Sequence, residues 1–228
     1  MKERVLVIYG AGGQGKELKE LADLDNARRE KWKEIIFVDD VQDEGKLMGV
    51  RRIHLSTAIS EYGAESLEFS IALGEPSSKK KVFEMLAAKG LHFTNVISPE
   101  ATISPYAELG TGLIIKKDAL VSPEAKIGDN TTLQSFVAVG HGVVIGEHCQ
   151  IATHSVIGGE TKIGKCVYIG LNAPIKEKLY IGDNAVISAG AVVLKDVPAD
   201  TTVMGNPARV IAKHTSESKV FSEREGFK

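Results

Sequence analysis

Two hydrophobic patterns divide the chain near residue 96. Before that point, short apolar runs that end at glycine or polar residues alternate with stretches whose apolar residues recur with helical spacing. The runs predict strands at residues 4–9, 35–38, 69–73 and 91–96, and the spaced stretches predict helices at 16–29 and 78–89, the second capped by Ser77. Strands and helices that alternate in this way are typical of a small parallel sheet with helices on its faces.

From Ile97 to Val193, every sixth residue is Ile, Leu or Val. The fourth residue after each is mostly small or β-branched. The residue directly after each Ile, Leu or Val is often glycine, which we expect to serve at tight corners. Repeats of six residues are typical of a parallel β-helix, whose triangular coil takes three repeats, or about 18 residues. Stacked coils would place His141 and Gly159 in one column and Gly142 and Glu160 in the next.

Composition adds exclusions to this picture. Gly accounts for 23 residues and aromatic residues for 6%, as many tight turns and few large core side chains require. The 28 Lys and Arg residues balance 30 Asp and Glu residues, which does not favour a partner made of nucleic acid. No apolar run is long enough to span a membrane, the N-terminal sequence lacks a signal-peptide pattern, and there are two cysteines, so we expect a cytoplasmic protein.

A glycine-rich motif, GAGGQG, occupies residues 10–15 between a predicted strand and a predicted helix, and acidic residues follow about 25 residues later. Such a turn presents backbone N–H groups to phosphates at a helix N-terminus. The motif alone is equally compatible with NAD. A plain glycine turn is the remaining interpretation.

The repeats, the histidine in VAVGHGVVIGE and the closing segments AVISAGAVVLKDVPA and VMGNPARVIA resemble left-handed β-helix acyltransferases that use acetyl-CoA. The segments VIYGAGGQGKEL, IIFVDD and IALGEPSSKKKVFEML resemble one branch of them, the sugar acetyltransferases with a small N-terminal nucleotide-binding domain. That branch includes bacterial nucleotide-amino-sugar N-acetyltransferases and proteins similar to sialic acid O-acetyltransferases.

The resemblance implies a fold class and a domain organisation. We expect an α/β Rossmann-like domain for a nucleotide sugar over residues 1–96, a left-handed parallel β-helix over 97–212 and a flexible tail over 213–228. The family also implies a homotrimer with active sites between subunits and a role in polysaccharide biosynthesis.

By the same resemblance, His141 is the general base that takes a proton from the acceptor amine as it attacks the thioester of acetyl-CoA. Imidazole suits proton exchange near neutral pH. We expect direct transfer, with backbone N–H groups stabilising the oxyanion. The family commonly has an acid after this histidine, where this chain has Gly142, so we expect Glu160 or Glu124 to orient the ring. Alternatively, the missing acid marks a weakened or altered activity.

The resemblance also implies the ligand-binding residues. Those for the nucleotide sugar are Gly12, Gly13 and Gln14 along the phosphates or sugar, Asp39 and Asp40 at the nucleoside, and Gly74 in the pocket. Those for acetyl-CoA, in a groove between subunits, are Gln150 at the acetyl end, Leu171, Ala189 and Gly190 along the pantetheine, and Lys195 and Arg209 at the phosphates. The family often has histidine at the positions of Gln14 and Gln150.

We expect no metal site. His148 and Cys166 share one column, but two ligands do not make a structural zinc site. We expect His148 to be solvated and Cys149 to lie in the core. The predicted function is acetyl-CoA-dependent N-acetylation of a nucleotide-linked amino sugar; the alternatives are O-acetylation of a sugar of the sialic acid type, a non-catalytic trimeric binder of sugar nucleotides or CoA, and an NAD-binding regulator.

Overall fold

The computed structural model describes residues 4–215 and 219–221. Its N-terminal elements are β1 (Val5–Tyr9), α1 (Gly13–Arg29), β2 (Glu34–Val38), β3 (Gly45–Leu47), β4 (Val50–Ile53), α2 (Leu55–Tyr62), a single 3-10 turn (Ala64–Ser66), β5 (Leu67–Ile71), α3 (Pro76–Ala88) and β6 (His92–Phe93). These six strands form one sheet in the order β3-β4-β2-β1-β5-β6, parallel except for β3 against β4.

The sheet agrees with the main strands and helices expected from the sequence. The central strands β1, β2 and β5 are buried because their apolar runs are covered by helices on both faces. Two details of the prediction are wrong. Helix α3 begins at Pro76 with Glu75 at its N-cap, so Ser77 is not the cap. The expected strand at 91–96 is divided. Only His92–Phe93 joins the N-terminal sheet, and Val96 belongs to the sheet of the next domain.

The hairpin β3–β4 and helix α2 are absent from the sequence prediction. Their strands are short, and much of their surface is exposed, so no apolar run marks them. They nonetheless place His54 and Leu55 beside the end of β2, where Asp40 lies.

The remaining chain is a parallel β-helix of short strands. They are β7 (Val96–Ile97), β8 (Thr102–Ile103), β9 (Glu108–Leu109), β10 (Ile114–Ile115), β11 (Leu120–Val121), β12 (Lys126–Ile127), β13 (Thr132–Leu133), β14 (Ala138–Val139), β15 (Val144–Ile145), β16 (Gln150–Ile151), β17 (Val156–Ile157), β18 (Lys162–Ile163), β19 (Tyr168–Ile169), β20 (Pro174–Ile175), β21 (Tyr180–Ile181), β22 (Val186–Ile187), β23 (Thr201–Met204) and β24 (Arg209–Lys213). The last two form an antiparallel pair that extends one sheet.

The strands stack into three faces. Face 1 contains β7, β10, β13, β16, β19 and β22 and continues into β23 and β24; face 2 contains β8, β11, β14, β17 and β20; face 3 contains β9, β12, β15, β18 and β21. Every pairing from β7 to β22 joins residues one coil apart, as in Leu133 with Ile151. The six-residue apolar positions point inward and form one continuous core, as predicted.

The corner glycines act differently from the expectation. Most of them have ordinary backbone angles, and the left-handed corner positions are filled mainly by other residues, such as Glu124, Phe136 and His154. The glycines are needed because the coils approach closely. A Cβ added to Gly146 would lie 2.6 Å from the carbonyl oxygen of Gly164 in the next coil.

Face 1 carries the N-terminal domain. Val96 and Ile114 on this face share a buried cluster with Leu18 and Leu21 of α1. Lys79 of α3 is fully buried, and its Nζ donates to Thr132 Oγ1 of face 1 at 2.7 Å. The carboxyl edge of the N-terminal sheet therefore lies close to the β-helix. In the part of the chain that the structure describes, no helix is long and apolar enough to cross a membrane.

Candidate active site

The glycine loop and the loop after β5 meet at the carboxyl edge of the N-terminal sheet. Helix α1 begins at Gly13 with Gly12 at the N-cap, and Gly15 lies so close to the carbonyl of Gly10 that no Cβ would fit. A Cβ on Gly74 would lie 2.5 Å from Nε2 of Gln14. The structure thus brings together Gly12, Gly13, Gln14 and Gly74, four of the residues predicted to bind the nucleotide sugar.

The two aspartates predicted at the nucleoside are held by the protein itself. Asp39 Oδ2 accepts from the Ala11 N–H at 3.1 Å, and Oδ1 accepts from the N–H groups of Val41 and Gln42. Asp40 Oδ2 accepts from the Tyr9 hydroxyl at 3.0 Å. Burial and this bond to Asp40 raise the pKa of Tyr9 to about 12. Asp39 therefore fixes the glycine loop to the end of β2.

His141 occupies the exposed corner between faces 2 and 3. Its ring lies over Gly159 in the next coil, where an added Cβ would be 2.7 Å from the ring Nε2. The column predicted from the repeat is therefore present in the structure. Without a side chain at Gly159, the imidazole can rest flat against the backbone and face solvent.

The carboxylates expected beside His141 lie in the two neighbouring coils, but they do not contact its ring. The N–H of Glu160 donates to the His141 carbonyl oxygen at 2.8 Å, while the Glu160 carboxylate lies 3.7 Å from Lys178 Nζ. Among residues 4–215 and 219–221, no hydrogen bond joins the imidazole to Glu160 or Glu124. Both glutamates are exposed, so their side chains have room to change rotamer.

The residues predicted for acetyl-CoA lie on other surfaces of the β-helix. Leu171, Ala189 and Gly190 are exposed at the corner between faces 1 and 2. Arg209 is exposed on β24, and its Nη1 donates to the Ala208 carbonyl at 3.0 Å. Lys195 is exposed between Val193 and Val197, which bridge to Ile175 and Ile181 of the preceding coil.

Gln150 is on face 1, between Thr132 and Tyr168 of the neighbouring coils, and is 2% exposed. Its Oε1 is buried and accepts no hydrogen bond from the described residues. His141 and Gln150 are thus on different sides of one chain.

A cavity of about 430 Å³ lies over the last coils of face 1. Tyr168, Val186 and Ala189 line it from the β-helix, and His214 and Phe221 line it from the C-terminal residues. This volume is in the range of small-molecule sites. The cavity lining includes one residue expected to contact acetyl-CoA, Ala189.

A buried polar cluster beneath α3 was not predicted. His148 was expected to be solvated, but it is 5% exposed, and its ring packs edge-on against Phe83. Burial lowers its pKa, and Asn130 Nδ2 lies 3.1 Å from its Nδ1. Lys79 lies next to this cluster. Lys79 lies three residues before Val82, which places it on the apolar side of α3. This spacing is the sequence signal from which its burial could be predicted.

The two cysteines are unpaired, and Cys149 is buried as predicted. Within the described residues, no three His, Cys, Asp or Glu side chains form a group that could hold a metal ion.

Two family models match the chain. Residues 5–86 match the PglD N-terminal domain, and residues 124–159 match the bacterial transferase hexapeptide model of six repeats. With the fold, these matches define the class of each part of the chain: an N-terminal domain of the PglD type is joined to a β-helix of bacterial transferase hexapeptide repeats. The predicted fold class, an α/β domain joined to a left-handed parallel β-helix, is confirmed.

Among solved structures, the chain is similar to the acetyltransferase domain of PglB from Neisseria gonorrhoeae FA1090 in complex with acetyl coenzyme A. The TM-score is 0.85 at 29% identity, over 92% of this chain and 100% of that one. WeeI from Acinetobacter baumannii AYE gives 0.85 and 29%, over 91% and 100%. A mutant perosamine N-acetyltransferase from Caulobacter crescentus, in complex with CoA and GDP-perosamine, shares the fold with a TM-score of 0.82 at 23% identity, over 91% and 97%.

Proposed function

We propose that this protein transfers the acetyl group of acetyl-CoA to the amine of a nucleotide-linked amino sugar, with His141 as general base. The observation that carries the proposal is the joining of two structures in one chain. A PglD-type domain presents a glycine loop at its sheet edge, and a hexapeptide β-helix presents an exposed histidine above Gly159.

The donor is inferred from the β-helix. The similar PglB domain was solved with acetyl coenzyme A. In this chain, the corner between faces 1 and 2 offers Leu171, Ala189 and Gly190, whose small or apolar side chains leave a surface on which a pantetheine arm can lie. Arg209 supplies a positive charge for phosphate at the end of the β-helix, and Lys195 supplies a second.

The acceptor is inferred from the N-terminal domain. Helices α1 and α3 both begin at the edge where Gly12, Gly13, Gln14 and Gly74 meet, and helix N-termini favour phosphate. Because Asp39 already accepts from the Ala11 N–H, that group of the loop is not available to a pyrophosphate. A nucleoside diphosphate sugar and NAD both contain a pyrophosphate, so this bond does not separate the two ligands.

The chemistry requires one proton to move. The acceptor nitrogen attacks the thioester carbonyl, and the imidazole of His141 takes the proton that the nitrogen loses. The carbonyl oxygen becomes an oxyanion, which backbone N–H groups stabilise. When the intermediate collapses, the carbon–sulfur bond breaks, and the proton passes to the departing thiolate of CoA. Glu160 or Glu124 would orient the ring after a rotamer change.

We further propose that the active unit is a cytoplasmic homotrimer. His141 and Gln150 are on different sides of one chain, so a site that uses both needs a second copy of the chain. The division at residues 96 and 212 is part of this proposal, with the tail from 213 partly outside the described residues. A role in polysaccharide biosynthesis would follow from the acceptor class.

One observation favours a second function. The His141 ring has no carboxylate partner in the described chain, and Gly142 replaces the acid that the family commonly has. A trimeric binder of sugar nucleotides or CoA without turnover would tolerate both features. O-acetylation of a sugar of the sialic acid type uses the same donor and base and remains an alternative acceptor chemistry.

The test combines binding with turnover. Thermal shifts with CoA, NAD, UDP, dTDP and GDP identify ligands, because a ligand that binds only the folded state raises the melting temperature. Thiol release from acetyl-CoA is then followed with UDP-, dTDP- and GDP-linked amino sugars and with sialic acid. We expect release only with an amino-sugar nucleotide. CoA binding without release would favour the binder, and a shift with NAD but not with CoA would contradict the proposal.

A further inference from the structure

The C-terminal residues Lys219–Phe221 lie against the predicted acceptor site. The N–H groups of Val220 and Phe221 both donate to Oε2 of Glu75, at 2.8 and 3.0 Å. Glu75 is the N-cap of α3 and directly follows Gly74. Two hydrogen bonds to one carboxylate oxygen therefore fix this segment at the loop where the nucleotide sugar is proposed to bind.

The ring of Phe221 fills the space that Gly74 leaves open. A Cβ on Gly74 would lie 3.5 Å from Phe221 Cε2 and 2.5 Å from Gln14 Nε2. On its other side, the ring packs edge-on against Tyr168 of face 1, with 5.2 Å between centroids. Phe221 is thus wedged between the N-terminal domain and the β-helix, at the opening that faces Gln14.

The contacts of this segment differ from those of a core element. Phe221 is 48% exposed, and the described bonds of Val220 and Phe221 to the rest of the chain go to Glu75, a partly exposed side chain. Hydrogen bonds to a carboxylate are strong, but a single latch of this kind costs little to open compared with a buried strand. The segment can therefore leave without disturbing either domain.

The shared fold does not cover the whole chain. The PglB and WeeI structures are matched over 100% of their length, but this chain is matched over 92% and 91%. Residues of this chain thus lie outside the common structure, which leaves room for a feature of its own.

We propose that Lys219–Phe221 is a displaceable strap over the acceptor site, with Phe221 as the steric plug and Glu75 as the latch. The sugar of the acceptor must move the Phe221 ring from the space beside Gly74 before it can approach Gln14. This inference rests on the proposed function for the identity of the acceptor. The strap selects for acceptors that gain enough contacts to displace it. Phe221 also lines the cavity that contains Ala189, so displacement of the strap opens that cavity as well.

Kinetics test the plug. If the strap covers the site for most of the time, the apparent affinity for the acceptor is reduced by the uncovered fraction, so Phe221→Ala should lower the acceptor KM about three- to tenfold. The kcat should not change, because Phe221→Ala leaves His141 and the reacting groups in place. An acceptor KM that is unchanged or higher in Phe221→Ala would overturn the proposal, because the ring would then be neutral or a binding contact.

Trypsin tests the latch independently of activity. The rate of cleavage after Lys219 is measured by mass spectrometry, with cleavage after Lys213 of β24 as the internal reference. Glu75→Ala should accelerate the cut after Lys219, whereas Glu75→Gln keeps an acceptor oxygen and should remain close to the unmodified protein. Equal rates in the two variants would contradict the latch.

Adding the nucleotide sugar that gives the largest thermal shift completes the test. The cut after Lys219 should become faster in the unmodified protein as the strap is displaced. An unchanged or slower cut would overturn the strap, since the segment would then stay in place or close onto the sugar. If no sugar nucleotide is acetylated while the Glu75 variants and the bound sugar behave as expected, the proposed function fails and the strap stands.

Discussion

A lysine is almost never fully buried without an acid to pair with it. Lys79 is 0% exposed, and its hydrogen-bond partner among the described side chains is the neutral hydroxyl of Thr132. Burial lowers the pKa of Lys79 from 10.5 to about 7. The junction between the two domains therefore contains an amine whose pKa is lowered by burial.

This burial gives the stability a pH dependence. Below about pH 7, the folded and unfolded states both hold the proton, and the folded state carries the full cost of the buried charge. Between about 7 and 10.5, the folded state has released a proton that the unfolded state keeps, so stability rises with pH. Lys79→Met should raise the melting temperature at pH 6 and flatten its rise towards pH 9.

The exposed neighbour Lys80 supplies the control. Lys80→Met removes a charge from the same turn of α3 without touching the buried junction, and it should keep the pH dependence of the unmodified protein. The test is the melting temperature of the three proteins, measured from about pH 6 to about pH 9. Parallel curves for Lys79→Met and the unmodified protein would show that the Lys79 amine is charged at every pH tested.

A second prediction for single residues concerns the carboxylate that orients the His141 ring. Glu160 is one coil away in the neighbouring column, and its carboxylate now faces Lys178. Because misplacement of a catalytic group by about 1 Å can cost up to a hundredfold, we expect Glu160→Gln to lower kcat/KM by about ten- to a hundredfold. Glu124→Gln on the opposite side is the matched control. A larger loss in Glu124→Gln would transfer the role to that residue, and no loss in either would remove it from both.

Among the elements, the β-helix follows from the sequence almost completely. One apolar residue in every six fixes which side chains point inward. The pairing then follows because each strand can bond only with the strands one coil above and one coil below it. The same periodicity predicts that His141 lies above Gly159. It cannot say which face the N-terminal domain covers, since that depends on contacts such as Lys79 with Thr132 that lie far apart in sequence.

Gly159 and Gly146 provide a test of what the corner glycines do. A Cβ at Gly159 would meet the exposed ring of His141, whereas a Cβ at Gly146 would meet the backbone of Gly164. A side chain can move and a backbone cannot do so cheaply. Gly159→Ala should therefore keep its stability and lose turnover, because the ring is displaced.

Gly146→Ala should do the opposite. Overpacking of this kind costs about 1–3 kcal/mol, so its free energy of unfolding should fall while any folded protein stays active. Urea unfolding and thiol release measure the two effects. A Gly159→Ala protein as active as the unmodified one would show that the position of the ring over Gly159 does not matter.

For the whole molecule, the fold was predictable but the composition of the site was not. The sequence identified the glycine loop and the corner histidine as separate motifs. It could not show that Asp39 accepts a hydrogen bond from the Ala11 N–H. It also could not show that His148 is buried under Phe83, or that Phe221 lies beside Gly74. Each depends on how two distant parts of the chain meet, which no periodicity records.

The proposed trimer can be tested on face 2. Leu120 and Val156 are 43% and 47% exposed there, on the two sides of Ala138, which makes an apolar strip along this face. Val156→Glu should reduce the molar mass measured by light scattering from three chains to one and abolish turnover. Lys162→Glu on face 3 is the control and should leave the mass unchanged. A monomeric unmodified protein with full activity would contradict the shared site.

The most direct measurement is acetyl transfer itself. Purified protein is mixed with acetyl-CoA and an amino-sugar nucleotide, and both free thiol and the mass of the sugar product are followed for the unmodified protein and for His141→Asn. We predict that one acetyl group is added at the sugar amine for each thiol released. The variant should lose at least about a hundredfold in rate, as expected for removal of a general base. Equal rates in the two proteins, or thiol release without an acetylated sugar, would contradict the account.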